Sequence, residues 1–134
     1  MHNLATLLRT AQFYAHNSHN LTTGITFFED HEFFGELYGT YEEAYDGVVE
    51  RMIGLGKNPD LAAITKAAAG VVAEYGKHKS TEDCYDSVLE LEKEICKACE
   101  KDMSGASEGT KNFLQGIADQ SEMRQYKIQQ RLKK

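Results

Sequence analysis

Between Gly24 and Gly56 the chain reads ITFFEDHEFFGELYGTYEEAYDGVVERMIGL, with no proline and with apolar side chains at helical intervals: Phe27, Phe34, Leu37 or Tyr38, Tyr41, Tyr45, Val48, Met52 and Leu55. That periodicity predicts one long helix ending near Gly56. Such a helix acts as a ruler. It rises about 1.5 Å per residue, so side chains far apart in number cannot meet within one chain.

The remaining segments read as further helices joined by short punctuation. Leu4, Leu7, Leu8, Ala11 and Ala15 form one apolar face, predicting a first helix from near residue 2 to about His19. The only proline, in Asn58-Pro59-Asp60, reads as a start signal with Asn58 as the cap, opening a short Ala-rich helix from Asp60 to Tyr75. Ser80-x-x-Asp83 resembles a capping box before a helix carrying Cys84, Val88, Leu91, Ile95 and Ala98 to about Met103. After Ser104-Gly105, a last helix carries Phe113, Leu114, Ile117, Ser121, Ile128 and Leu132. Four long amphipathic helices with short turns argue a four-helix bundle.

Four polar residues stand out against this pattern. His19 closes the first helix, while His31, Asp46 and Glu50 lie on the long one, the two carboxylates one turn apart on a single face. Imidazole and carboxylate together are a metal-ligand set. His31 precedes Asp46 by fifteen residues, a rise of roughly 22 Å, against a metal–ligand bond of about 2.0 to 2.2 Å. If all four are ligands, the carboxylates meet the histidines of another subunit, most simply where two antiparallel copies of this helix pair across a two-fold axis. The spacing therefore predicts two equivalent sites per dimer.

In this spacing the stretch resembles the metal-binding segment of the Dps-type mini-ferritins, the DNA-binding proteins from starved cells. Their pattern is a His near the end of the first helix, a second twelve residues on, an Asp fifteen later, a Glu four further, and then Arg; here these are His19, His31, Asp46, Glu50 and Arg51. The likeness covers nearly the whole chain. It implies an all-α, ferritin-like four-helix bundle with a short extra helix between the second and third, in one domain spanning 1–134. It further implies a cytoplasmic homo-oligomer, a hollow dodecamer with ferroxidase centres at its two-fold interfaces. There His19, His31, Asp46 and Glu50 serve as both metal ligands and catalytic set. The implied activity is oxidation of Fe(II), commonly with hydrogen peroxide, and storage of ferric mineral against oxidative stress.

Two departures bear on that activity. The family usually places Trp after the first His, where Asn20 stands, and often an Asp four residues after the second, where Gly35 stands. Glu32 and Glu36 flank that turn as substitutes out of register. A missing carboxylate predicts a weakened second iron position, giving a di-iron or mono-iron site, with Zn as the other suitable ion. Two alternatives follow: a Dps-like shell or interaction protein with little or no ferroxidase activity, and a helical dimer with structural metal at its interface. His16, one turn before His19, reads as polar surface or a neighbour to the ligands, and Tyr38, Tyr41 and Tyr45 read as packing, with electron transfer from an iron centre as their functional reading.

Charge and cysteine content narrow the partners. The formal charge of −6 per chain repels phosphate once repeated around a shell, and the basic end is only Arg131, Lys133 and Lys134, so DNA contact is expected to be weak and salt-sensitive. Glu108, Asp119 and Glu122 are candidates for cation channels at three-fold axes. Cys84, Cys96 and Cys99, three in number on a helical pattern, suit reduced thiols rather than a disulfide framework. No segment has the form of a signal peptide or a membrane span.

Overall fold

In the computed structural model, which describes residues 1–75 and 80–133, every regular element is a helix. They are α1 (His2–Leu21), α2 (Phe27–Gly54), α3 (Leu61–Glu74), α4 (Thr81–Met103) and α5 (Glu108–Leu132). The four long helices form the bundle, and α3 is the short extra helix in the connection between α2 and α4. Asp30 near the start of α2 meets Tyr85 at the start of α4 and Arg131 at the end of α5. Thus α2 and α4 run parallel and α5 runs against both. The connection holding α3 must therefore return along the bundle, as in the crossover form of such folds.

The ends of these helices follow local chemistry. Ser80 and Ser107 accept hydrogen bonds from the backbone N–H groups of Asp83 and Thr110 at 3.1 and 3.3 Å, satisfying donors that the first turn leaves free. At α3 the cap is Asp60, whose carboxylate accepts from the N–H of Ala63 at 3.0 Å; Asn58 and Pro59 lie outside the helix, correcting the assignment of Asn58. The long helix stops at Gly54 through a Schellman closure: Lys57 N–H donates to the Met52 carbonyl and Gly56 N–H to that of Ile53, both at 2.9 Å. Gly56 makes this turn with a φ of +80°, which a side chain would disfavour.

The core is the set the periodicity marked, with local exceptions. Leu4, Leu8, Ala11, Phe34, Tyr41, Val48, Val88, Ile95, Leu114 and Ile128 are fully enclosed, joined by Ile64 of α3. Leu7, Phe113 and Leu132 are only half-buried, and Leu55 is exposed. Helix α3 buries little beyond Ile64 and Ala68, leaving Leu61 and Val71 exposed.

Inside the bundle stand two ion-pair clamps of the same composition. Glu92 of α4, fully buried, is held bidentate by Arg124 of α5 (Nε–Oε1 2.6 Å, Nη2–Oε2 3.2 Å) and accepts from the hydroxyls of Tyr41 and Ser121. Asp30 of α2, also buried, is held by Arg131 at 3.1 Å through both Nε and Nη2, and accepts from Tyr85 and Thr26 at 2.6 and 2.7 Å. Each guanidinium also lies over the ring of its own tyrosine, Arg124 over Tyr41 and Arg131 over Tyr85. Burial would raise the pKa of Asp30, but the hydrogen bonds from Arg131, Thr26 and Tyr85 outweigh it and hold the carboxyl below its usual range. The clamps tie α2, α4 and α5 together where open grooves separate α2 from α5 on the surface.

A buried charge that loses its partner is costly. Arg124→Met is expected to destabilise the fold by about 3–5 kcal/mol in urea unfolding, and the double variant E92M/R124M to recover most of that loss. A loss below about 1 kcal/mol in the single variant would show that Glu92 is not dependent on Arg124.

Candidate metal centre

The turn between α1 and α2 brings His19 and His31 together. Their rings stack with centroids 3.7 Å apart and planes inclined by 20°. The Nδ1 of His19 lies 2.7 Å from the His31 carbonyl oxygen, and the Nδ1 of His31 lies 2.8 Å from that of His19. A carbonyl oxygen only accepts, so each Nδ1 carries its hydrogen and donates, and in the neutral imidazole the lone pair sits on Nε2. A ring fixed by an Nδ1–H bond to a backbone carbonyl, with Nε2 left as base, is the usual arrangement of a metal-binding histidine. Phe27 stacks on His31 at 4.8 Å, and the edge of Tyr38 meets His19 at 5.5 Å. His16, expected as surface or as a neighbour of the ligands, stacks on Tyr38 at 4.0 Å.

The carboxylates lie elsewhere on α2. Asp46 and Glu50 are exposed, and the pKa of Glu50 is raised by its hydrogen bond to Asp46 and then by the repulsion between them. Arg51 does not neutralise them: it lies over the Phe113 ring at 4.8 Å, and among the described residues it forms no ion pair. The structure thus brings His19 of α1 to His31 of α2 and Asp46 to Glu50, but leaves the two pairs apart along α2. Among the described residues no three His, Cys, Asp or Glu side chains cluster as a metal site.

The bundle interior offers no alternative in its two buried acids, because Glu92 and Asp30 are each occupied by an arginine. Ferritin-like di-iron sites within a bundle are built from inward Glu and Glu-x-x-His groups, and this chain has clamps instead. The clamps were missed in the sequence, where Asp30, Glu92 and Arg124 look like any charged helix residues. Their one signal is the seven-residue interval from Arg124 to Arg131, which places both on one face of α5. Arg131 is therefore no tail residue, since it binds Asp30 and Glu82; Lys134 lies outside the described residues.

Other candidates are placed as follows. Glu36 lines a cavity of about 290 Å³ between α2 and α5 with Arg124 and Lys127, away from the imidazoles, so it does not replace the carboxylate absent at Gly35. Glu32 is exposed on α2, and Glu108, Asp119 and Glu122 are exposed along α5, Glu108 paired with Lys111 at 3.4 Å. Cys84 and Cys99 are buried and Cys96 half-buried; burial pushes the Cys99 thiol up to about 12, which keeps it protonated and unreactive. No helix among the described residues is long and apolar enough to cross a membrane.

One stripe of α2 carries more than the carboxylates. Phe28, Gly39, Asp46, Glu50 and Ile53 follow one another at helical intervals and are all exposed, Phe28 at 79% and Ile53 at 56%. Ile25 just before the helix and Leu55 at its C-cap extend this apolar exposure beyond both ends.

Comparison with curated proteins and with solved structures returns no match. A family model for the ferritin-like domain matches residues 1–134, the full length of the sequence. The crossover bundle and this match agree, and the chain belongs to the ferritin-like domain family.

Proposed function

We propose that the protein is a Dps-type mini-ferritin: a cytoplasmic homo-oligomer that oxidises Fe(II) at sites between subunits and stores the ferric product. The observation that carries this reading is the common midpoint of three pairs of features along α2. The midpoints between His31 and Glu50, between Phe28 and Ile53, and between Ile25 and Leu55 each fall at Thr40 or within one residue of it. In an antiparallel pair of helices related by a two-fold axis, each residue faces the one equally far beyond the midpoint. An axis at this point sets the imidazoles of one chain against the carboxylates of the other, and buries exposed Phe28 and Ile25 against exposed Ile53 and Leu55. The apolar surface supplies the association and the metal ligands lie within it.

Gly39 stands beside that midpoint on the same exposed stripe, with open space where a side chain would project. Its missing side chain permits the close approach of two helix backbones. A second, different interface would then join such dimers into the family's dodecamer, and exposed Leu61 and Val71 of α3 supply apolar area for it.

The chemistry follows from the donors. The two Nε2 atoms supply one imidazole donor each, and two-metal sites hold ions about 3.5–4 Å apart, comparable to the 3.7 Å ring spacing. The partner's Asp46 and Glu50 lose their mutual repulsion to the cations and supply oxygen ligands that favour Fe(III). Two Fe(II) ions give one electron each to one hydrogen peroxide, which takes up two protons and leaves as two waters, so no hydroxyl radical is released. DNA contact has little support, since Arg131 is committed to Asp30 and Glu82 within the subunit.

A second reading, a shell with little ferroxidase activity, is favoured by Gly35, which leaves one ion without a carboxylate from its own subunit. A third is a helical dimer with structural Zn. Anaerobic Fe(II) loading followed by peroxide, with ferric absorbance and light scattering read together, separates them. The expected result is rapid oxidation with soluble iron in a roughly dodecameric particle, abolished in D46A/E50A while helical content is unchanged. Undiminished oxidation in that variant overturns the site; a large particle that oxidises iron no faster than buffer supports the second reading, and a dimer the third. Gly39→Arg is expected to reduce the particle to folded monomers by the same light scattering, and full assembly of that variant would contradict close helix approach at this point.

A further inference from the structure

We propose that Gly35 is a positioning residue for the histidine pair: its missing Cβ makes the space in which the His19 ring lies, so the place of a further carboxylate ligand is already filled. A Cβ built on Gly35 would stand 3.0 Å from both Cε1 and Nδ1 of His19, tighter than nine in ten such contacts, so the ring would have to give by a few tenths of an ångström. The ring has little room to yield. Its Nδ1 is fixed to the His31 carbonyl, one face lies on the His31 ring, and the edge of Tyr38 is also in contact. His31 is held in turn between His19 and Phe27, with its own Nδ1 on the carbonyl of His19. Residues 31 and 35 are one helical turn apart, so any side chain at 35 would lie beside His31 where His19 now packs. The two imidazoles are thus interlocked across the α1–α2 turn, with Gly35 as the floor.

The consequence for metal rests on the two-fold reading above. With no donor at position 35, the four protein ligands divide unequally between two ions. One ion is bound tightly and the other weakly. Adding the carboxylate by Gly35→Asp would not strengthen the weak position, because it would expel His19 from the pair.

The interlock is tested first without metal. Histidine-labelled protein at mildly alkaline pH is examined by ¹⁵N magic-angle-spinning NMR, which reads Nδ1–H from Nε2–H at any particle size. Both His19 and His31 are expected as Nδ1–H in the parent protein. Gly35→Ala should remove that signature from His19, whereas Gly116→Ala, a helical glycine with nothing within 4 Å of the added methyl, should not. Titration with Co²⁺ is then expected to show one tight ion per subunit in the parent, binding weakened about 10- to 100-fold in Gly35→Ala, and no additional tight ion in Gly35→Asp. Retention of the His19 signature with unchanged Co²⁺ affinity in Gly35→Ala, or a second tight ion in Gly35→Asp, would overturn the proposal. Failure of the two-fold reading is distinguishable: the parent would then bind no Co²⁺ between subunits, while the glycine-dependent NMR signature remained.

Discussion

The rigidity of α2 is the constraint on which the rest of this molecule depends. An unbroken helix from Phe27 to Gly54 fixes the separation of His31 from Asp46 and Glu50, and no adjustment of rotamers can close a gap of roughly 22 Å. The helix therefore keeps the two groups of candidate ligands apart. Its register is held at the N-terminal end by Asp30, gripped by Arg131 and Tyr85, and near the middle by Tyr41, bound to Glu92. Its length is set by the Schellman closure at Gly56.

The two clamps also account for what the buried acids do. A carboxylate in the interior of a bundle must be neutralised, and here arginines from α5 do so, with a tyrosine and a small hydroxyl filling the remaining hydrogen-bonding capacity. The buried acids are thereby committed to holding helices together. Asp46 and Glu50 instead remain exposed on α2, where the hydrogen bond between them raises the Glu50 pKa. On α2 the buried, paired Asp30 and the exposed Asp46 and Glu50 are thus kept apart.

Much of the fold was legible in the sequence because helix periodicity and end signals are local. The approximate spans of the first four helices, the existence of the fifth, the cap at Ser80, and most of the enclosed apolar residues follow from such signals, although Asn58 rather than Asp60 was read as the cap of α3 and the cap at Ser107 was not read. What could not be read was tertiary. Asp30, Glu92 and Arg124 are indistinguishable in sequence from solvated charges, and Arg131 looked like part of a basic tail because only the folded bundle brings Asp30 to it. At the candidate site the spacing singled out four residues as candidates, but not the stacking of the imidazoles or their reciprocal bonds to backbone carbonyls. Gly35 read as a missing ligand, whereas in the fold it is the space that receives His19.

The central claim is that each site takes its imidazoles from one chain and its carboxylates from another. Complementation tests it most directly: the variants H19A/H31A and D46A/E50A are purified separately, loaded with Co²⁺, then unfolded, mixed, refolded together and loaded again. Neither variant alone is expected to hold interfacial metal, and each mixed dimer should regain one intact site of its two, since one chain still has both histidines and the other both carboxylates. If mixed particles form but no Co²⁺ binding returns, the ligands do not meet across the two-fold axis.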